Sequence, residues 1–221
     1  MWERLPVTIW LIAYSAVVAG VLSLVLALWA TSRPRALRDR AVRLLSVLGL
    51  GVPSFWLGLV LIEYVGVRAG VLPVAGYGSG FGGHLQSLLL PSFTIAAGIV
   101  PLVVRSLRAE ILRVADSDYV MTARAKGLSR RRIRLRHVLR NALGPSVTVL
   151  AVNIGFLIGG TLVVESIFAL GGLGDLMLSA ISYRDFPVVQ GVTLVLAFLV
   201  VAVNILSDLA QAVLDPRIEA A

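Results

Sequence analysis

The stretch DSDYVMTARAKGLSRRRIRLRHVLRNALGP, residues 116–145, decides how this chain folds. From Arg124 to Arg140 it carries eight basic side chains and no acidic one. At roughly 2.5–3.5 kcal/mol for each Arg held at a bilayer centre, burying that run in lipid would cost on the order of 20 kcal/mol. Yet the sequence on either side is apolar for long enough to require lipid. A charged segment between two such stretches stays in water and separates membrane-crossing elements.

Working outward, five runs lack charge for long enough to cross a hydrocarbon core: residues 5–30, 44–62, 88–104, 143–164 and 187–207. Such a core is about 30 Å thick and takes roughly 20 helical residues. Backbone amides facing lipid are satisfied only within a helix or a closed barrel, so each run is expected to be a helix. The third run is the shortest and holds Pro91 and Pro101, which predicts a kink or an extension by the amphipathic residues after it. The first run is too long for a cleaved leader, whose apolar region spans about 7–15 residues. The predicted fold is therefore an all-α integral membrane protein of about five transmembrane helices, one domain over residues 1–221, with a water-exposed loop at about 116–142.

Composition agrees. Hydrophobic residues make up 58% of the chain, charged residues 14%, and the mean hydropathy is +0.91. A soluble domain carries about 25% charged residues. The net charge of +8 could suggest nucleic-acid binding, but the basic residues fall in two clusters between apolar runs, which argues for loops and against that partner. With no cysteine, and with His84 and His137 far apart, no metal site is expected.

The first connection holds Arg33, Arg35, Arg38, Arg40 and Arg43, and the third holds most of the basic residues from Arg105 to Arg140. The second and fourth hold only Arg68 and Arg184. The positive-inside rule then places the N-terminus outside, both basic connections in the cytoplasm, and the C-terminus at 215–221 inside. Residues 70–83 read as a flexible glycine-rich external loop, and 169–183 as a turn followed by a short amphipathic helix.

Within the basic loop, Ala123, Ala125 and Gly127 lie on a predicted short helix that ends at Gly127, and Leu128-Ser129 starts a new direction. Small side chains allow another protein to approach closely. A basic loop of this kind also suits anionic lipid headgroups, and the residues alone leave both readings open.

Met121-Thr122-Ala123-Arg124-Ala125-Lys126-Gly127, followed by Leu139-Arg140-Asn141-Ala142-Leu143-Gly144-Pro145, resembles the coupling loop of bacterial ABC importer permeases. Asp118-Tyr119-Val120, Arg136 to Asn141, Gly159-Gly160 through Val164-Glu165, Arg184 to Gly191 and the closing Leu214-Asp215-Pro216-Arg217-Ile218 resemble the dipeptide and oligopeptide branch. The likeness runs from Arg4 onward. It implies a type I importer permease in the bacterial plasma (inner) membrane, paired with a homologous permease, two cytoplasmic ATPase subunits and an external solute-binding protein. The cargo it implies is a peptide, with nickel chelates or other small solutes as family-level alternatives. Such a subunit does no covalent chemistry; ATP and magnesium would sit on the ATPase partners, consistent with the lack of a Walker-type phosphate loop here. The implied docking helix comprises Asp118, Tyr119, Thr122, Ala123, Arg124, Ala125, Lys126, Gly127 and Leu128, with Ala123 and Gly127 at the close-packed positions.

The chain departs from the pattern in places. Met121-Thr122-Ala123 stands where many relatives have Glu-Ala-Ala, Arg140 stands where the wider superfamily has proline, and Gly171 replaces a proline in the external turn. Relatives also carry a further membrane helix and external segment ahead of the region that begins here. The expectation is that a longer reading frame restores them.

Four further features are candidates. Gly155 and Gly159 form a GxxxG pair with Gly160 adjacent, suited to helix packing within this subunit or across to its partner permease. Asn153 and Glu165 are the candidates for the translocation path or its outer gate, because intramembrane polar groups tend to face a bundle interior. Asn204 and Asp208 share one helical face, and Glu63 and Asp208 read more simply as hydrogen-bonding groups between helices or to a loop. A secondary transporter or a membrane-anchored structural protein with basic loops are the rival readings; the first would require internal repeats, which the sequence does not display.

Overall fold

The computed structural model describes residues 1–34 and 36–214. Arg35 and the expected inside C-terminus at 215–221, with the closing Asp215-Pro216-Arg217-Ile218, lie outside the described residues, as does the side chain of Asp208. The regular elements of the described chain are all helices, with α1 (Leu5–Thr31), α2 (Leu37–Gly51), α3 (Ser54–Leu61) continuing as a π-helix over Ile62–Arg68, and α4 (Gly80–Ala115). After these come α5 (Asp118–Ala125), α6 (Arg130–Arg132) continuing as a π-helix over Ile133–Leu139, α7 (Arg140–Ile167), α8 (Leu173–Ser182) and α9 (Phe186–Leu214).

Among the described residues three helices are long and apolar enough to cross a membrane unbroken, and two bent pairs raise the number to five if each pair is one span. One bent pair runs from Arg130 to Ile167 and turns by 54°. The other corrects the expected second span. The chain between residues 44 and 62 is not one helix but bends by 106° between α2 and α3. Pro53 lacks an amide hydrogen and drives the residue before it out of the helical region, and Val52 accordingly sits at ψ 119°.

The third span is the opposite case. Pro91 and Pro101 lie inside α4, which runs unbroken for 36 residues from Gly80 to Ala115. It also absorbs Gly80, Gly82 and Gly83, so the glycine-rich loop ends sooner than expected. This helix is the centre of the bundle: 72% of its most apolar window is buried, against 39% for α1 and 11% for α9. Helices α1, α2, α3 and α7 all pack on it.

The seam between α1 and α4 explains how the centre closes. Ser15, Ala19, Ser23 and Ala27 recur at every fourth position of α1, and all four are wholly buried. Residues four apart share one helix face, and a face of small side chains lets two backbones approach closely in lipid, where association relies on packing.

Candidate functional site

Helix α5 is built to be rigid. Ser117 holds an extended backbone at its start, and Asp118 in the first turn complements the positive helix end. At the other end, Gly127 adopts φ +76°, its N–H donates to the carbonyl of Arg124 at 3.0 Å, and the N–H of Leu128 donates to the carbonyl of Ala123 at 3.3 Å. These two bonds form a Schellman motif, in which a left-handed residue reverses the chain and satisfies the last carbonyls. The glycine is required by its backbone, since nothing lies within 4 Å of where its Cβ would be.

The helix is also fastened to its neighbours. Val120 and Ala123 enter a core with Ala27 of α1, Leu107, Ile111 and Val114 of α4, and Ile133 and Val138 of the second π-helix. Arg124 donates through Nη2 to the carbonyl of Ala115 at the end of α4, 3.2 Å away. On the other flank Asn141 Nδ2 donates to the Tyr119 hydroxyl at 3.0 Å and to the His137 carbonyl at 2.8 Å. A force on α5 is therefore passed to the end of α4 and to the start of α7.

This geometry corrects one docking residue. Ala123 is only 6% exposed and faces the chain's own core, so it is not open to a partner. Asp118, Tyr119, Met121, Thr122, Arg124, Ala125, Lys126 and Gly127 are exposed, and Leu128 is half-buried against the same core. The small residues that remain available for close approach are Ala125 and Gly127.

At the opposite end, Glu165 is wholly buried. Its Oε1 accepts from Thr8 Oγ1 at 2.6 Å, and its Oε2 accepts from the N–H of Gly174 at 2.7 Å and of Asp175 at 3.4 Å. The Leu173 N–H donates to Thr8 Oγ1 at 2.9 Å. One carboxylate thus caps the first turn of α8 and, through Thr8, binds it to α1. Arg4 pairs with Asp175 at 3.2 Å alongside. The fit is tight, because a Cβ on Gly172 would come within 2.4 Å of Glu165 Oε2 and one on Gly174 within 2.6 Å of Leu162 Cα.

The turn before α8 is fixed by packing. Phe168, Leu170 and Leu173 are buried, and the Phe168 carbonyl accepts from the N–H of Gly76 at 2.9 Å. Gly171 stands at φ +72°, which a proline ring cannot reach.

Asn153 is half-buried and donates through Nδ2 to the Val149 carbonyl one turn earlier, at 2.7 Å. Gly155 faces α9, where a methyl group would come within 3.7 Å of Asn204 Oδ1 and 3.8 Å of Val200 Cγ1. Gly159 and Gly160 meet nothing within 4 Å among the described residues. Glu63 pairs locally with Arg68 at 2.8 Å.

Sequence reasoning missed the partners. Thr8, Arg4 and Asp175 lie far in the chain from the groups they bind. Asp39, the lone acid in a basic connection, is buried and held by Arg108 through two bonds of 2.6 and 2.9 Å, which fasten α2 to α4. An acid surrounded by arginines near a span end was the available signal.

Comparison with known proteins places the arrangement. The chain is 37% identical over 221 residues to the oligopeptide transport system permease protein AppB of Bacillus subtilis (strain 168), covering 98% of this chain and 70% of that one. It is 36% identical over 218 residues to the glutathione transport system permease protein GsiC of Escherichia coli (strain K12), covering 99% and 67%. Its fold matches a chain from inward-facing structures of the MetNI methionine ABC transporter with a TM-score of 0.68 at 19% identity, covering 97% and 94%. Residues 20–220 match the family described as binding-protein-dependent transport system inner membrane component, and this protein belongs to that family.

Proposed function

We propose that the chain is the permease subunit of an ATP-driven importer whose cargo is a peptide. The relatives named for oligopeptide and glutathione transport support that cargo class. The observation that carries the coupling role is α5: a capped helix outside the apolar spans, fastened to both α4 and α7, with an exposed face ending in Ala125, Lys126 and Gly127. In this reading a cytoplasmic ATPase grips that face, and nucleotide-driven closure rotates the membrane helices between two states. ATP and magnesium bind the ATPase subunits, two of which serve this chain and a homologous permease, while an external binding protein delivers the peptide.

Orientation follows from the same placement. Arg134 donates to the Leu28 carbonyl and Arg108 pairs with Asp39, so both basic connections lie at one end of the bundle, opposite the Thr8 and Glu165 end. That end is proposed to face the cytoplasm, with residue 1 outside.

Capture of the ATPase by the purified subunit tests the docking face. Gly127→Arg is a poor probe, since it breaks the left-handed cap as well as adding bulk. Ala125→Leu leaves the cap intact and adds bulk without charge, so it is expected to weaken capture strongly; Ala125→Arg, which adds charge as well, is expected to abolish it, while Ala125→Ser retains it. Full capture by Ala125→Arg would remove α5 as the docking element.

A further inference from the structure

We infer that the groove between the end of α1 and the α6 region is a binding site for the phosphate-bearing headgroup of an anionic phospholipid. The groove holds about 550 Å³ and is lined by Trp29, Ser32, Arg130, Arg131, Arg134 and Leu135 among others. Two of its three arginines are uncommitted. Arg134 donates to the Leu28 carbonyl, whereas the side chains of Arg130 and Arg131 are exposed and have no hydrogen-bond or ion-pair partner among the described residues. Guanidinium groups match phosphate oxygens in geometry as well as in charge.

The walls point to a lipid and not to an acidic protein. Trp29 is 48% exposed and Leu135 46% exposed, on the rim of a basic groove at the end of the 27-residue apolar helix α1. Tryptophan is enriched at the headgroup level of membranes, where an apolar ring meets a polar boundary. A ligand that satisfies both parts has an anion at the arginines and hydrocarbon beside Trp29 and Leu135. This site requires only that α1 crosses the membrane, and it stands or falls separately from ATPase docking at α5.

The test uses the full chain with Trp29 as its single tryptophan, Trp2, Trp10 and Trp56 being replaced by Phe, in phosphatidylcholine vesicles containing a small fraction of brominated lipid. Brominated phosphatidylglycerol is expected to quench Trp29 more than brominated phosphatidylcholine at the same mole fraction. Arg130→Gln with Arg131→Gln should lower that preference by about five-fold per arginine. Arg136→Gln with Arg140→Gln, two exposed arginines outside the groove, should leave most of it. Equal quenching by the two lipids in the parent overturns the assignment, and so does an equal loss from both arginine pairs, which marks diffuse surface attraction. A preference relieved by inorganic phosphate at constant ionic strength assigns the groove to free phosphate and equally overturns the lipid site.

Discussion

Thr8 and Glu165 lie 157 residues apart and share a hydrogen bond of 2.6 Å, with neither side chain exposed. Because Glu165 also accepts from Gly174 and Thr8 accepts from Leu173, this pair is where α1, α7 and α8 become one unit. Glu165→Ala strands the Gly174 N–H and the Thr8 hydroxyl away from water, which costs about 2–4 kcal/mol. The measurement is the midpoint of denaturation in mixed micelles. Thr8→Val should cost about 1–3 kcal/mol, and the double variant less than the sum. Strict additivity would show that the two residues act independently.

The turn before α8 predicts a loss at each of two neighbouring glycines, for different reasons. Gly172→Ala pushes a methyl group into the Glu165 carboxylate, so it should reproduce most of the loss seen for Glu165→Ala. Gly171→Pro restores the residue expected at this position in relatives, yet φ +72° forbids it, and a loss of about 3 kcal/mol or more is expected instead of a gain. A higher denaturation midpoint for Gly171→Pro would mean that the turn takes another backbone path in the membrane.

The buried ion pair at the other end should show a different pattern. Asp39→Ala leaves Arg108 without its two-point partner beside α2, and removing one member of a buried pair costs about 3–5 kcal/mol. Arg108 keeps some access to solvent, with its side chain 20% exposed, so the lower end is expected. Asp39→Ala combined with Arg108→Leu should recover part of the loss. A double variant worse than Asp39→Ala alone would count against the pairing.

For force transmission the informative bond is Tyr119 to Asn141. Asn141→Ala removes the donor that reaches both the Tyr119 hydroxyl and the His137 carbonyl. In the assembled transporter, ATPase capture should persist while the amount of solute moved per ATP hydrolysed falls by about five- to tenfold. Unchanged stoichiometry would show that the remaining ties of α5, the packing of Val120 and Ala123 and the Arg124 bond to Ala115, carry the connection without Asn141.

How much of this was legible beforehand depended on range. The arginine-dense stretch after Gly127 argues for a place outside the membrane through charge alone, and the φ +76° at Gly127 follows from a local need that only glycine meets cheaply. The break at Pro53 was signalled by the proline, but the same residue type at 91 and 101 sits inside an unbroken helix. The difference is tertiary: α4 is the most enclosed helix, and neighbours hold its shape. Ala123 was misplaced because spacing shows that a residue is small without showing which side of the helix it occupies. Glu165 stands out in the sequence as a candidate for the translocation path or its gate, but its hydrogen bonds depend on Thr8, which no local pattern connects to it.

The α1 seam has a mechanical corollary. From Ser15 to Ala27 the buried positions of α1 carry nothing longer than a hydroxymethyl group, and the hydroxyls of Ser15 and Ser23 take no partner among the described residues. Beside this narrow stripe Val18, Leu22 and Leu26 pack against the cluster that holds Val100 and Val104, so apolar contact alone fills the middle of α1. Its long-range polar ties gather at the two extremities, with the Thr8 hydroxyl bonded to Glu165 at one and the Leu28 carbonyl accepting from Arg134 at the other. The helix is thus pinned at its ends by directional bonds and held between them by packing.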